Sequence, residues 1–156
     1  MTKQRDTLFG KITMDMGKAP ITFVHQKQKI TFHPTTIQSF GVFNGEAYQI
    51  YETLSSEKGQ AIFVEVVAKG KANLYKYVEK RIATNSTQDR YVYFFGTSKE
   101  ELTVISSSNY RRILGAFLSG HPSLIEQLER TAFDEIPNLI QSYNDLEDSI
   151  RKKSGR

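Results

Sequence analysis

The sequence predicts an α+β fold: an antiparallel β meander, sandwich or open barrel of about eight or nine short strands, followed by three C-terminal helices packed on the sheet. Three observations lead there. Through the first two-thirds of the chain, turn-forming residues separate short apolar or alternating runs about every 8–12 positions. Near Ser106 the period changes, and Tyr110, Ile113, Leu114, Phe117 and Leu118 fall on one helical stripe. Three short stripes of this kind cannot bury themselves, so an open face of the sheet is their natural cover.

The strands follow in order. Residues 8–14 form a β-compatible run holding Gly10, and 21–24 follow the turn-rich 16–20. Residues 29–33 alternate, with Ile30 and Phe32 on one face, until Pro34 breaks the run. Residues 39–43 and 46–51 flank Asn44-Gly45, a strong hairpin signal because both residues tolerate positive φ. A loop over 55–59 precedes the most hydrophobic strand, 60–68, with Ile62, Val64 and Val66 on one face. Lys69-Gly70 makes a tight connection to 72–81. A polar turn at 85–89 leads to 90–95, and 102–105 is a short ninth candidate.

For the helices, Ser107 or Ser108 is the expected cap of the first, and Gly120 its left-handed end. Gly115 inside it suggests close packing. Pro122 suits the first position of a second helix, with Leu124, Ile125 and Leu128 inward. Asp134 is the expected cap of a third, with Pro137 in its first turn and Ile136, Leu139, Ile140, Tyr143, Leu146 and Ile150 as its stripe. Arg151-Lys152-Lys153 complements the helix dipole at the far end. One domain is expected over 1–156, β-rich over 6–105 and helical over 106–153.

Composition narrows the function classes. With 156 residues the chain can bury about 68–70% of its unfolded surface without staples. There is no Cys, which removes disulfides, thiolate zinc sites and thiol catalysis. No run approaches the roughly 18 apolar residues of a membrane-spanning helix. The net charge of +4 resides in residues 1–105, which carry 14 basic and 10 acidic side chains; residues 106–156 carry seven of each. That surplus is modest for a nucleic-acid binder. The polar N-terminus holds no apolar signal segment, so the expectation is either a cytosolic chain or the mature form of an exported one.

Catalytic patterns fail one by one. His25, His33 and His121 make no three-ligand metal set. The acidic group Asp145, Glu147 and Asp148 has no calcium loop behind it. Gly-x-Ser-x-Gly and both phosphate-loop motifs are missing, and the two Ser-x-x-Lys matches lack their companion motifs. Glu46, Glu52 and Glu65 are the carboxylates available for glycoside chemistry. The reading is therefore no catalytic residue, no metal and no cofactor.

Aromatic and basic residues interleave at Lys69, Lys71, Tyr75, Lys76, Tyr77, Lys80 and Arg81, with Tyr91, Tyr93, Phe94 and Phe95 on another strand. Single-strand binders use such mixtures. Period two, however, sets Tyr75, Tyr77 and Arg81 on one face and Lys76 and Lys80 on the other. Cross-strand aromatic pairs packing under helices are preferred, and nucleic-acid binding by a cytosolic β domain is the alternative function. Asn85-Ser86-Thr87 matches a glycosylation sequon, which matters only in a eukaryotic secretory setting.

The runs Asp6-Thr7-Leu8-Phe9-Gly10-Lys11-Ile12, Ile30-Thr31-Phe32-His33-Pro34 and Ile37-Gln38-Ser39-Phe40 resemble a domain of Gram-negative envelope proteins. So do residues 63–75, Tyr91-Val92-Tyr93, Tyr110-Arg111-Arg112-Ile113-Leu114, Pro122-Ser123-Leu124 and Tyr143-Asn144. The resemblance covers roughly 6–145. In that family the domain follows a signal peptide and precedes or accompanies an outer-membrane β-barrel, and its function is poorly defined. This chain departs where relatives carry Asp-Cys-Pro, here Gly120-His121-Pro122, and where they carry a Cys after Tyr-Asn, here Asp145. If those cysteines pair in relatives, a helix-to-helix staple is lost here. The resemblance implies a non-catalytic extracytoplasmic module, periplasmic or outer-membrane associated, that binds a protein or envelope component. Strand edges and the aromatics Tyr75, Tyr77, Tyr91 and Tyr93 are the expected contact surface.

Overall fold

The computed structural model describes residues 10–13, 20–55, 59–83 and 86–155, with side chains described outside 79–89. The expectations for residues 8, 9 and 14, for the turn at 16–19, for the loop at 56–58 and for Asn85 lie outside the described residues. The described strands lie in two antiparallel sheets, of three and six strands, and three helices follow them, as the α+β reading requires. The chain divides into two compact units, 1–63 and 64–156.

In the first unit, β1 (Lys11–Thr13), β2 (Ile21–His25) and β3 (Gln28–Phe32) form the three-stranded sheet in that order. Ile21 and Phe23 of β2 are buried, and Phe23 packs on Phe32 with ring centroids 6.1 Å apart. The β2–β3 connection has just two residues, Gln26 and Lys27, with φ of 49° and 66°. Two consecutive positive φ values between paired strands define the turn that matches the right-handed twist of a hairpin. Neither residue announces it, because Gln and Lys are poor left-handed formers. Changing Gln26-Lys27 to Asn-Gly should therefore raise stability by about 1 kcal/mol, since each left-handed L-residue carries a steric cost that Asn and Gly lower. A higher urea midpoint at unchanged slope would verify this, and an unchanged midpoint would show that the strain is absent.

The pair β4 (Ser39–Phe43) and β5 (Tyr48–Ser55) completes this unit. Its loop is wider than a two-residue Asn-Gly turn. Asn44 donates its backbone N–H to the Ala47 carbonyl, and its side-chain oxygen accepts from the N–H groups of Glu46 and Ala47. Gly45 supplies the positive φ, 105°, that the loop needs. Phe40 stacks on Tyr51 at 4.9 Å and meets the edge of Phe63 at 5.1 Å. Thr53 fastens the start of β4, donating its N–H to the Gln38 carbonyl and its hydroxyl to that of Ile37.

The second unit holds most of β6 (Ala61–Ala68), with β7 (Asn73–Ala83), β8 (Ser86–Gly96) and β9 (Thr103–Ile105). Consecutive strands pair antiparallel from β6 to β9. A bulge between Val66 and Ala68 inserts one extra residue, so that both Val67 and Ala68 turn toward the helices. The helices are α1 (Tyr110–Phe117), α2 (Pro122–Arg130) and α3 (Ile136–Ser154). Leu114, Leu118, Leu124, Leu128, Ile136, Leu139 and Ile140 form one core with Leu74, Tyr93, Phe95 and Ile105 of the sheet. The helical stripes thus find the cover that their periodicity demanded.

The helix ends differ from expectation. Asn109, not Ser107 or Ser108, precedes α1. Its side chain accepts from the Ser106 N–H at 2.7 Å and donates to the Val104 carbonyl, tying β9 to the helix. The helix closes at Leu118 with φ of −85°, so Gly120 does not end it in a left-handed conformation. A Cβ on Gly115 would meet Leu128 at an ordinary 3.9 Å, so close packing does not demand this glycine. Pro122 occupies the first turn of α2 as expected. A 3-10 turn over Phe133–Glu135 precedes α3, which makes Glu135 rather than Asp134 its leading residue. Phe133 is drawn into the aromatic core there, and the Glu135 carboxylate accepts from the Ala132 N–H.

Candidate interaction surface

The four tyrosines proposed from sequence divide between opposite faces of the sheet. Residues facing each other across antiparallel strands share a face. Val78 faces Tyr91 and Lys76 faces Tyr93, which puts both tyrosines on the side of Leu74 and Phe95, under the helices. Tyr75 faces Phe94 and Tyr77 faces Val92, on the other side. Tyr75 and Tyr93 are buried, and Tyr77 and Tyr91 half-buried. No common exposed surface joins them, so the expectation of an exposed four-tyrosine patch is corrected.

Their packing explains why. Phe133 stacks on Tyr91 at 5.4 Å and meets Tyr93 at 5.2 Å and Tyr110 at 5.6 Å. The Tyr110 hydroxyl donates to the Thr131 carbonyl at 3.0 Å. Lys76 lies over the Tyr91 ring, its nitrogen 4.9 Å from the centroid. Burial first, and then the charge of Asp134, pushes the Tyr91 hydroxyl above the usual phenol range. Burial dominates again for Tyr93, with the charges of Tyr91, Asp134 and Glu65 adding to it. Both hydroxyls therefore stay protonated at neutral pH.

The remaining candidate residues belong to several elements. Glu46 is exposed on the β4–β5 loop, Glu52 is buried in β5, and Glu65 is half-buried opposite Lys76 in the neighbouring strand. His121 approaches α3, its Nε2 3.4 Å from a Glu147 carboxylate oxygen and its ring 5.4 Å from that of Tyr143. Asp145 accepts from the Gln141 side chain and is exposed. Among the described residues, no three His, Asp or Glu side chains converge as a metal ion would require. A polar groove of about 390 Å³ runs along α2 between Ser123 and Glu135, and the Arg130–Glu126 ion pair lies along it.

The large exposed apolar side chains are elsewhere. Phe43 is 57% exposed, Tyr48 63% and Ile50 41%. The register pairs Phe43 with Tyr48 and Gly41 with Ile50, so all four residues lie on one face of the β4–β5 hairpin. Phe43 and Tyr48 touch with ring centroids 5.2 Å apart. Tyr48 and Ile50 lean over Gly41, where a Cβ would lie 3.4 Å and 3.3 Å from their side chains. Alternation along β4 and β5 was legible in the sequence, and it places these residues together. Which face would lie open was not, because exposure depends on what packs elsewhere. A second exposed pair, Leu146 and Ile150, extends the α3 stripe past its last buried residue, Asn144.

No family model matches the chain, and neither a curated protein nor a solved structure matches it.

Proposed function

We propose that this chain is a non-catalytic protein-binding module acting outside the cytoplasm, and that its contact surface is the open face of the β4–β5 hairpin. The observation carrying this reading is the grouping of Phe43, Tyr48 and Ile50, all large, apolar and exposed, on one face of two paired strands. Burying such side chains from water is favourable by roughly 25 cal/mol per Å², so a partner gains where the free chain leaves them wet. Aromatic side chains of this kind dominate protein interfaces. The envelope setting rests on the family resemblance of 6–145, and an interaction module is consistent with the lack of a catalytic motif in the sequence.

A photo-reactive phenylalanine analogue at position 43 should cross-link a discrete partner in envelope extracts of the source cell. Phe43→Ala/Tyr48→Ala should lower recovery of that partner at least about tenfold, as the loss of one interface anchor of about 2 kcal/mol implies. Arg112→Ala, on the exposed side of α1, serves as the control and should recover the wild-type amount. Equal recovery by all three proteins would exclude the hairpin face as the contact surface. Fractionation of cells expressing the natural gene tests the compartment, and a purely cytoplasmic product would refute the envelope part.

A further inference from the structure

We infer that a second copy of the chain adds antiparallel along the β4 edge of this hairpin across a two-fold axis at Gly41, so that the open faces of the two hairpins run on into one another; the inference rests on the hairpin-face reading above. The backbone supplies the first argument. Thr53 N–H bonds to the Gln38 carbonyl, and Asn44 N–H to the Ala47 carbonyl. Hydrogen-bonded pairs alternate along an antiparallel ladder, so Gln38, Phe40, Val42 and Asn44 bond toward β5. Ser39, Gly41 and Phe43 then direct their N–H and C=O groups away from β5. Among the described residues, β4 has a paired strand on that one side only. An edge of this kind is a template for strand addition.

Self-complementarity supplies the second argument. A strand paired with its own copy about Gly41 sets Gly41 against Gly41, Ser39 against Phe43 and Phe43 against Ser39. Each outward pair exchanges two backbone hydrogen bonds. On the exposed face the large Phe43 then falls beside the small Ser39 of the other copy, with the glycines between them. On the opposite face Phe40 falls beside Val42. Any charge near the centre of such a strand would be set close to its own copy. Ser39-Phe40-Gly41-Val42-Phe43 carries no charge, and it also lacks the lysine or proline with which open edges are commonly blocked.

The area sets the strength. Strand addition leaves the Tyr48 and Ile50 side chains of β5 open, so its apolar burial comes mainly from Phe43; a ring that buries roughly 150–250 Å² in full offers on the order of 100 Å² at its observed 57% exposure. Two copies together stay well short of the roughly 1,200 Å² of a standard stable complex. The dimer is accordingly weak and forms with rising concentration.

Sedimentation of the full chain tests this. The weight-average mass should climb from one chain toward two between roughly 10 μM and 1 mM, the range that a small interface implies. Gly41→Lys, which places two ammonium groups on the axis, should hold the protein monomeric throughout. An equimolar mixture of Gly41→Lys and Gly41→Glu chains should associate again. Hydrogen exchange of the wild-type Ser39, Gly41 and Phe43 amides, which needs no variant, should slow at least several-fold from the low to the high concentration. A constant monomer mass, association unimpaired in Gly41→Lys, no recovery in the mixture, or exchange independent of concentration would each overturn the proposal. Should the chain stay monomeric while Phe43 and Tyr48 still govern capture of another protein, the hairpin surface stands and the second copy falls. Association through β4 without any such capture would uphold the second copy at this edge and remove the surface as a site for other proteins.

Discussion

Replacing Asn144 by alanine is expected to cost about 2–4 kcal/mol of stability, because it strands two buried backbone groups at once. Asn144 is 3% exposed in the middle of α3. Its side-chain oxygen accepts from the Ala72 N–H at 2.8 Å, and its amide donates to the Ala72 carbonyl at 2.9 Å. One side chain thus satisfies both polar groups of a fully buried residue in the β6–β7 connection. Gly70 makes room for it, since a Cβ there would lie 2.7 Å from the Asn144 Cγ. The lost bonds should appear as a lower urea midpoint, and a loss under about 1 kcal/mol would mean that water replaces the clamp readily. Gly70→Ala should destabilise the wild type but much less the Asn144→Ala background, because the two changes strike the same contact.

Asn144→Asp refines the test through pH. The carboxylate keeps the acceptor for Ala72 N–H but turns a second oxygen on the Ala72 carbonyl. Repulsion and burial both favour the protonated acid in the folded state, so its folded pKa rises above the roughly 3.9 of an unfolded aspartate. The protonated group can donate as the amide did. That stabilising contribution is full below the unfolded value and is lost as pH rises through the folded one. Relative to wild type, the variant should therefore be less impaired in mild acid than at pH 7. An impairment that does not change with pH would rule out a titrating clamp.

The other large effect belongs to Leu114. It is fully buried at the centre of the core that joins α1, α2 and α3 to β6–β9. Leu114→Ala should cost about 2.7–5 kcal/mol, the lost transfer energy plus the cavity that the surrounding helices cannot close. For a chain of this length the melting temperature should fall by roughly 5–20 °C. Leu146→Ala is the control of identical chemistry. Leu146 belongs to the same kind of sequence stripe but is 37% exposed, and its truncation should cost well under about 1 kcal/mol. Similar losses at both sites would contradict a core centred on Leu114.

Much of the architecture was legible because it depends on local periodicity. Alternation located each described strand to within a few residues at most ends, and the 3.6-residue stripe of 110–118 named the buried face of α1. Where local chemistry misled, a tertiary contact had intervened. Asp134 is a good cap by type, but Phe133 beside it enters the Tyr91–Tyr93–Tyr110 cluster, and the chain tightens into a 3-10 turn instead. The β2–β3 turn was hidden for the opposite reason, since strand pairing imposes left-handed backbone on Gln26 and Lys27, which do not favour it.

The contact surface was harder to foresee for a physical reason. Periodicity assigns a side chain to a face but does not say whether anything covers that face. Tyr91 and Tyr93 look like stacking groups until the helices are laid over them, whereas Phe43 and Tyr48 look like ordinary core until the hairpin is seen to leave them open. The amino-acid sequence by itself determined the α+β class, the strand order along the chain and the apolar faces, because these follow from the spacing of neighbouring residues. Only the tertiary structure decided which aromatic faces water and which carboxamide clasps a backbone 72 positions away, because exposure and long-range hydrogen bonds arise from the meeting of segments distant in the chain.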